Sequence, residues 1–192
     1  MKFSKLTERI SQLGSDKWLV HLEARKLKKN NPNIIELTIG EPDQITPNEL
    51  IQKCYESMIS GRTKYSNGRG EENLLEALSK KYQSRTSLKV SRNNFLCLPG
   101  TQTALFATVM CLVEEGDEIL VGDPYYATYE GIIQSSGADL IPIPLREEHD
   151  FSLQENDIRK KITNKSKAIL LNYPHNPTGG TVSYTHLRAH ET

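Results

Sequence analysis

The sequence has little of several features that mark particular classes of protein. It contains three cysteines, Cys54, Cys97 and Cys111, whose wide spacing favours neither a disulfide framework nor a zinc site, and we expect buried thiols. Basic and acidic residues balance at 24 each, so no net positive charge suggests nucleic-acid binding. No run approaches the roughly eighteen apolar residues that span a bilayer, and residues 1–5 lack a secretory signal's apolar core. We therefore expect a cytoplasmic protein with neither nucleic-acid nor membrane partners.

The pattern of apolar residues indicates an α/β protein. With 36% hydrophobic and 25% charged residues, the chain lies in the ordinary range for a globular core. Short apolar runs alternate with helical patterns, which is typical of a mostly parallel sheet with helical crossovers on its faces. The predicted strands are residues 34–39, 94–98, 118–121, 139–143 and 167–171. The predicted helices are residues 16–29, 71–82, 101–113 and 126–136, with a further one that begins at Pro47.

The helix that begins at Pro47 carries two specific expectations. Thr46 is placed to cap its first turn, because a threonine hydroxyl can accept a hydrogen bond from a free backbone N–H. Its apolar stripe is expected to lie in the core and consists of Leu50, Ile51, Cys54, Tyr55 and Met58.

The sequence Asn-Pro-Thr-Gly at residues 176–179 is the most informative motif in the chain. It comes shortly after the apolar run 168–171 and therefore follows the carboxyl end of a predicted strand. Open parallel sheets bind ligands at that edge, and Pro177 and Gly179 turn the chain away from it. Asn176 is thus placed to hydrogen-bond a ligand, although the same dipeptides also occur in ordinary surface turns.

A second candidate binding loop lies between the predicted strand 94–98 and the helix that follows it. Gly100, Thr101 and Gln102 open that helix, and its first backbone N–H groups and its dipole suit a phosphate dianion. The loop lacks both the three spaced glycines and the Gly-Lys-Ser/Thr sequence of nucleotide-binding loops. By itself the pattern is also typical of a tight turn before a helix.

Three further motifs occur along the chain. They are Gly-Glu-Pro-Asp at residues 40–43, Lys-Tyr-Ser-Asn-Gly at residues 64–68 and Asp-Pro-Tyr-Tyr at residues 123–126. With the two loops above, the series resembles the class I/II, fold-type I pyridoxal-phosphate aminotransferases. It looks most like their bacterial aspartate aminotransferase-like branch, which includes arginine–pyruvate aminotransferases. The resemblance implies an amino-terminal fragment with a truncated fold-type I large domain, in which helices cover both faces of a mostly parallel sheet.

The resemblance also implies which residues bind pyridoxal 5′-phosphate. Gly100, Thr101 and Gln102 match the loop that binds the phosphate of the cofactor. Tyr126 matches the aromatic residue that stacks on the pyridine ring, whereas its tyrosine neighbours are expected to pack against the protein. Asn176 matches the asparagine whose amide hydrogen-bonds the phenolic oxygen of the cofactor.

Two residues nearer the amino terminus complete the implied site. Gly40 matches the glycine whose backbone approaches the substrate carboxylate, where a side chain would obstruct that approach. Tyr65 matches the tyrosine that reaches the phosphate bound in the other subunit. The resemblance therefore implies a homodimer that acts on an amino acid and a 2-oxo acid.

The chain contains no residue that matches the catalytic lysine of such an enzyme. In the family this lysine forms a Schiff base with the cofactor and lies well beyond Asn-Pro-Thr-Gly, in a Ser-x-Ser-Lys setting. Lys165 and Lys167 precede the motif and do not match. We expect a transaminase as the parent enzyme and no activity from this chain. A carbon–sulfur lyase, an aminocyclopropane carboxylate synthase and a non-catalytic cofactor-binding module remain alternatives.

The resemblance and the pattern together predict three regions. Residues 1–45 are an amino-terminal arm and the start of a small domain, and residues 46–181 are part of the cofactor-binding large domain. Residues 182–192 resemble translated cloning sequence, because the apolar periodicity stops there. His186 and His190 have the spacing of a helical metal pair, but an artefactual tail explains them more simply, and no metal is expected.

Overall fold

The structure of the protein, a computed structural model, describes residues 3–11, 13 and 15–181. It contains two compact units, which are described separately. The sheet unit comprises the described residues of Met1–Ser15 and Thr101–Thr192, and the helical unit comprises Asp16–Gly100. The predicted artefactual tail and its two histidines lie outside the described residues. The predicted boundaries at residues 45 and 181 remain predictions.

The described residues form helices and strands in the following chain order. They are α1 (Lys5–Ser11), α2 (Ser15–Asn30), α3 (Asn48–Ile59), α4 (Glu72–Arg85), α5 (Thr101–Leu112), β1 (Glu118–Asp123), α6 (Tyr129–Ser135), β2 (Asp139–Pro144), α7 (Glu155–Lys161) and β3 (Ser166–Leu170). Two short 3-10 turns occupy Arg92–Asn94 and Glu147–His149. Within the ranges that the structure describes, no helix is both long and apolar enough to cross a bilayer.

The three strands of the sheet unit form one parallel sheet in the order β2-β1-β3. On the central strand, Ile119 lies opposite Leu140 of β2 and Ala168 of β3. All three strands form where apolar runs predict them, and helices alternate with them along the chain. The predicted α/β class with a parallel sheet is therefore confirmed.

One face of this sheet packs against α5 and α6. Val109 of α5 and Val113, the residue that follows this helix, belong to one buried cluster. The cluster also contains Ile133 of α6 and Ile119 and Val121 of β1. Ile133 has no exposed surface, and Val121 retains only 1% of its surface. Burying a side chain of this size stabilises a fold by about 1.5–3 kcal/mol, so this cluster is a main source of the unit's stability.

Side chains on the opposite face of the sheet are also buried. Leu120 and Ile143 point to this face, because successive side chains of a strand alternate between faces. Helix α7 contacts β2, and its buried Asp157 pairs with Arg146, which lies two residues after the end of that strand. Helices thus pack on both faces, as the resemblance implies.

The helical unit contains α2, α3 and α4 together with long connecting segments. Ser79 of α4 is buried and donates a hydrogen bond of 3.1 Å to the carbonyl oxygen of Val90. His21 of α2 is also buried, with Nδ1 at 2.8 Å from Thr38 Oγ1 and 3.0 Å from Glu36 Oε1. These contacts connect each helix to a segment that has no regular structure of its own.

Two predicted strands of the helical unit are wrong. Residues 34–39 and 94–98 form no strand in the structure, since the only sheet among the described residues contains β1, β2 and β3. A strand depends on hydrogen bonds to a neighbouring strand, and apolar runs alone do not provide that neighbour. The predicted cap of α3 is also wrong, because Pro47 occupies the cap position and no side chain bonds there.

The predicted burial of α3 and of the cysteines is wrong as well. All five residues of the apolar stripe of α3 are exposed, and the helix has no buried residue. Cys54 lies on that stripe and is exposed. Cys111 is exposed because it lies two residues from Val109 and thus on the opposite side of α5. Cys97 is half-buried.

Candidate cofactor site

The carboxyl ends of β1 and β3 bring two of the predicted motifs to one edge of the sheet. The two strands are parallel neighbours, so their carboxyl ends lie side by side. Tyr126 follows the end of β1 at Asp123, and Asn176 follows the end of β3 at Leu170. Both side chains therefore belong to segments that start from the edge where open parallel sheets bind ligands.

The amino terminus of α5 reaches the same edge. Helix α5 packs on the sheet and leads through a short turn into β1, so the two elements run in opposite directions. A helix of 12 residues is about 18 Å long and a strand of 6 residues about 20 Å, so the helix spans the strand's length. Thr101 and Gln102, which open α5, are exposed. Their N–H groups have no intrahelical partner because they lie in the first turn.

Gly100 directly precedes α5 and has a left-handed backbone. Its φ is +86°, a value that residues with a Cβ adopt only with strain. No atom lies within 4 Å of the position that a Cβ would occupy. The glycine is therefore required by the backbone conformation rather than by crowding within the described chain.

Hydrogen bonds within the Asn-Pro-Thr-Gly segment close it into a turn. The backbone N–H of His175 donates to the carbonyl oxygen of Gly180, and that of Gly179 donates to the carbonyl oxygen of His175, both at 2.7 Å. His175 Nδ1 lies 2.8 Å from Thr178 Oγ1. Burial lowers the pKa of His175, which favours the neutral ring. These contacts fix the turn that presents the exposed side chain of Asn176.

The aromatic residue predicted to stack on the cofactor contacts a second tyrosine. The rings of Tyr126 and Tyr129 meet edge to face, with centroids 5.7 Å apart and planes inclined by 73°. Tyr125 and Tyr129 are both half-buried against the core cluster. The predicted packing of these two tyrosines against the protein is therefore confirmed. Tyr126 retains 38% of its surface, so part of the ring is open to a ligand.

Tyr129 of α6 and Asn172, which lies in the segment after β3, line one small cavity. Burial raises the pKa of Tyr129, the nearby polar side chain of Asn172 opposes this rise, and the neighbouring Tyr126 adds to it. Sequence reasoning missed that these two residues lie beside the same cavity. The available signal was that Asn172 is the first polar residue after an apolar strand and that Tyr129 lies three residues after Tyr126.

The other two predicted site residues belong to the helical unit. Gly40 is exposed, with no atom within 4 Å of an added Cβ. Tyr65 is fully exposed in the loop between α3 and α4. A 2.8 Å ion pair between Arg62 and Glu71 closes that loop, and the nearby side chains of Ser66 and then of Arg62 lower the pKa of Glu71. The predicted roles of Gly40 and Tyr65 remain predictions.

Metal ligands do not cluster in the described ranges. Across residues 3–11, 13 and 15–181, no group of three or more His, Cys, Asp or Glu side chains is arranged to hold a metal ion.

Comparison with known families identifies the kind of protein to which this arrangement belongs. The model of the family "Aminotransferase class I and II" matches residues 32–189. The chain belongs to the class I and II aminotransferase family. Members of this family depend on pyridoxal phosphate. The predicted family and cofactor class are therefore confirmed.

Individual relatives agree with the family assignment. The chain is 34% identical to the arginine–pyruvate transaminase of Pseudomonas aeruginosa over 95% of its own length and 46% of that enzyme. It is 30% identical to the aspartate aminotransferase of Bacillus subtilis, over 94% of the chain and 46% of the relative. The chain thus spans about half the length of the curated relatives that it matches.

A solved structure shows the same fold. The aspartate aminotransferase from Thermus thermophilus with maleate superposes with a TM-score of 0.89 at 28% identity. The match covers 98% of this chain and 49% of the Thermus chain. The parallel sheet and its helices are therefore those of a fold-type I aminotransferase large domain, as predicted.

Proposed function

We propose that the whole protein is a pyridoxal-phosphate-dependent transaminase that transfers an amino group from an amino acid to a 2-oxo acid. The family match over residues 32–189 carries the proposal, because it includes every motif that the sequence predicts for the cofactor. The named relatives are an arginine–pyruvate transaminase and aspartate aminotransferases. The Thermus enzyme was solved with maleate, a dicarboxylate, which suits a substrate class that carries carboxylates.

The start of α5 is proposed to bind the phosphate of the cofactor. Thr101 and Gln102 are exposed, their N–H groups lie in the first turn of α5, and the helix dipole adds positive potential at that end. The left-handed conformation of Gly100 directs the chain into the helix and leaves open space beside it. These features fit a dianionic phosphate.

Tyr126 and Asn176 are proposed to orient the pyridine ring. The partly exposed ring of Tyr126 offers a flat apolar surface, and the exposed carboxamide of Asn176 can donate a hydrogen bond to the phenolic oxygen. Bound pyridoxal phosphate supplies an electron sink for the charge that develops at the α-carbon of the substrate. The protein residues set the position and tilt of that ring.

The helical unit is proposed to contribute the substrate and subunit contacts. Gly40 would bring its backbone close to the substrate carboxylate, and Tyr65 would reach the phosphate in the partner subunit of a cytoplasmic homodimer. The exposure of both residues and the open space beside Gly40 support these roles.

Cofactor binding by the 192-residue chain provides one test of the proposal. In equilibrium dialysis against pyridoxal 5′-phosphate, Gly100→Ala is expected to weaken binding about fivefold or more. An alanine with a left-handed backbone is strained by about 1–2 kcal/mol, and the loop would move to relieve that strain. Gly116→Ala is the matched control, since Gly116 has φ +91° and open space beside it but precedes the amino end of β1. Equal effects of the two variants would contradict the phosphate assignment.

Turnover tests the proposed reaction itself. A coupled assay with an amino acid donor and a 2-oxo acid acceptor is expected to show transamination by the whole protein. The 192-residue chain is expected to be inactive, because none of its lysines lies in the setting of the catalytic lysine. Turnover by this chain above background would refute the second expectation, and an inactive whole protein with bound cofactor would refute the first.

A further inference from the structure

We propose that His175 is a positioning residue that holds, through Thr178, the carboxamide of Asn176 where the phenolic oxygen of the cofactor binds. The inference rests on the proposed cofactor site and adds to it two side chains that have no assigned contact with the cofactor. It follows from the hydrogen bonds that close residues 175–180, here called the asparagine turn, and from the packing of that turn against the segment before α7.

His175 is the buried residue of the asparagine turn. It keeps 8% of its surface, whereas Asn176 beside it is exposed. Its Nδ1 lies 2.8 Å from Thr178 Oγ1, and the same oxygen accepts a 3.2 Å hydrogen bond from the N–H of Gly180. Burial lowers the pKa of His175 and favours the neutral ring, whose Nδ1 can accept the hydroxyl proton of Thr178. The imidazole therefore anchors the turn at its buried end.

The backbone of His175 closes the same turn. Its N–H donates to the carbonyl oxygen of Gly180, and its carbonyl oxygen accepts from the N–H of Gly179, both at 2.7 Å. Gly179 has a left-handed backbone with φ +74°, so the chain reverses there. Asn176 lies between these bonded ends and has few backbone positions open to it. A carboxamide held in this way loses less entropy when a ligand binds.

The asparagine turn packs against the segment between β2 and α7. Asp150 and Phe151 of this segment both have left-handed backbones, with φ 49° and 53°, a strain that persists only where the surrounding structure imposes it. The N–H of Phe151 donates a 2.9 Å hydrogen bond to the carbonyl oxygen of Arg146. A Cβ added to Gly180 would lie 3.1 Å from the carbonyl oxygen of Asp150. This close approach fixes one side of the turn, and the His175 ring fixes its buried end.

Equilibrium dialysis of the 192-residue chain against pyridoxal 5′-phosphate tests the inference. His175→Phe keeps a ring in the buried site but removes Nδ1, and it is expected to weaken binding about threefold to tenfold. His175→Asn places a polar side-chain atom near the position of Nδ1 and is expected to stay within about twofold of the original chain. Equal losses in the two variants, or no loss in His175→Phe, would overturn the inference.

A double-mutant cycle shows whether His175 acts through Asn176. In an Asn176→Ala background, His175→Phe is expected to change the dissociation constant of pyridoxal 5′-phosphate by less than about 1.5-fold. In the original background, His175→Phe should have an equally small effect on an analogue of the cofactor that lacks the phenolic oxygen. A full-sized effect in either measurement would assign His175 to general stability and overturn the inference.

His21→Phe is the matched control for loss of a buried imidazole. His21 keeps 7% of its surface, and its Nδ1 also lies 2.8 Å from a threonine hydroxyl, that of Thr38. It lies on α2 of the helical unit. We expect this variant to leave the dissociation constant of pyridoxal 5′-phosphate unchanged. A loss of affinity equal to that of His175→Phe would mean that any lost imidazole weakens binding, and would overturn the positioning role.

Amide hydrogen exchange measured without cofactor separates this inference from the proposed function. His175→Phe is expected to speed exchange at the N–H groups of Gly179 and Gly180 about threefold to tenfold, whereas His175→Asn keeps it slow. Unchanged exchange in His175→Phe would overturn the inference, even where the original chain binds pyridoxal 5′-phosphate and the proposed site stands. Faster exchange in a chain that binds no cofactor would instead reject the proposed site, and the positioning role with it.

Discussion

The guanidinium of Arg146 donates two hydrogen bonds to the carboxylate of Asp157, at 2.6 and 3.3 Å. The pair joins the end of β2 to the first turn of α7, and the Asp157 side chain is only 11% exposed. Hydrogen bonding by Arg146 lowers the pKa of Asp157 below its ordinary value, and burial opposes the shift only in part. The fold therefore favours the ionised carboxylate.

The first prediction concerns the dependence of stability on pH. A group whose pKa is lowered by folding stabilises the fold at pH values above its unfolded pKa, here about 4. This contribution is expected to be lost as the pH falls from about 5 through the folded pKa of Asp157. Urea unfolding between pH 6 and pH 3 measures it, and Asp157→Asn should be less stable at pH 6 and less sensitive to acid.

Glu155→Gln is the control for this measurement. Glu155 pairs with Arg159 at 2.7 Å on the same helix, but both side chains are more than 70% exposed. Exposed pairs contribute little to stability, so this variant should retain nearly all of the acid sensitivity of the original chain. The role assigned to Asp157 fails if the two variants respond to pH alike.

The second prediction concerns Gly122, which lies within β1. A Cβ at this position would lie 2.9 Å from Cδ1 of Leu145, a side chain that is itself buried. Gly122→Ala is therefore expected to lower the free energy of unfolding by about 1–3 kcal/mol. Gly131→Ala is the control, since nothing lies within 4 Å there and helix α6 should gain about 0.5–1 kcal/mol. Urea unfolding distinguishes the two opposite signs.

The third prediction concerns the core between the sheet and α6. Ile133 is completely buried, so Ile133→Ala removes packed methyl groups and leaves a cavity. The expected loss in free energy of unfolding is about 2–5 kcal/mol. Ile162→Ala should change it by less than about 0.5 kcal/mol, because that side chain is 56% exposed. A similar loss in both variants would contradict the assigned core.

The fourth prediction concerns a buried hydroxyl beside the aromatic pair. Thr128 Oγ1 is buried and, within the part of the chain that the structure describes, bonds to nothing. Thr128→Val keeps the shape and removes an unsatisfied polar atom, so the free energy of unfolding should stay equal or rise by about 1 kcal/mol.

Thr178→Val is the matched substitution for this prediction. The Thr178 hydroxyl lies 2.8 Å from His175 Nδ1 and accepts a 3.2 Å bond from the N–H of Gly180. Its loss should lower the free energy of unfolding by about 1–2 kcal/mol. Chemical denaturation of both variants tests whether the sign of the change in the free energy of unfolding depends on the hydrogen bonding of the hydroxyl rather than on the residue type.

The sequence predicts the sheet unit well because local and tertiary preferences agree there. The apolar runs at residues 118–121, 139–143 and 167–171 meet one another as strands and are covered by helices that the 3.6-residue period also predicts. The runs 34–39 and 94–98 are equally apolar but form no strand. Whether these two runs form strands depends on pairing with segments that are distant in the sequence, and the period of the apolar residues does not encode such pairing.

The candidate site shows the same division. Asn176, Tyr126 and the loop at Gly100 stand out in the sequence because turn residues follow apolar runs. Tyr129 and Asn172 line one cavity but come from two different crossovers, so no local pattern predicts that they lie close together. Motifs identify where a ligand could bind. The contacts that surround these motif residues can be identified only from the folded structure, in which the strands lie side by side.

The position of β3 has a consequence for assembly. Among the described strands it pairs only with β1, and both Ile169 and Leu171 keep substantial exposed surface. An extended segment that paired with the outer edge of β3 would add a strand to the sheet, next to the residues that precede Asn172. Such pairing would also restrict the start of the segment that leads from β3 to Asn176.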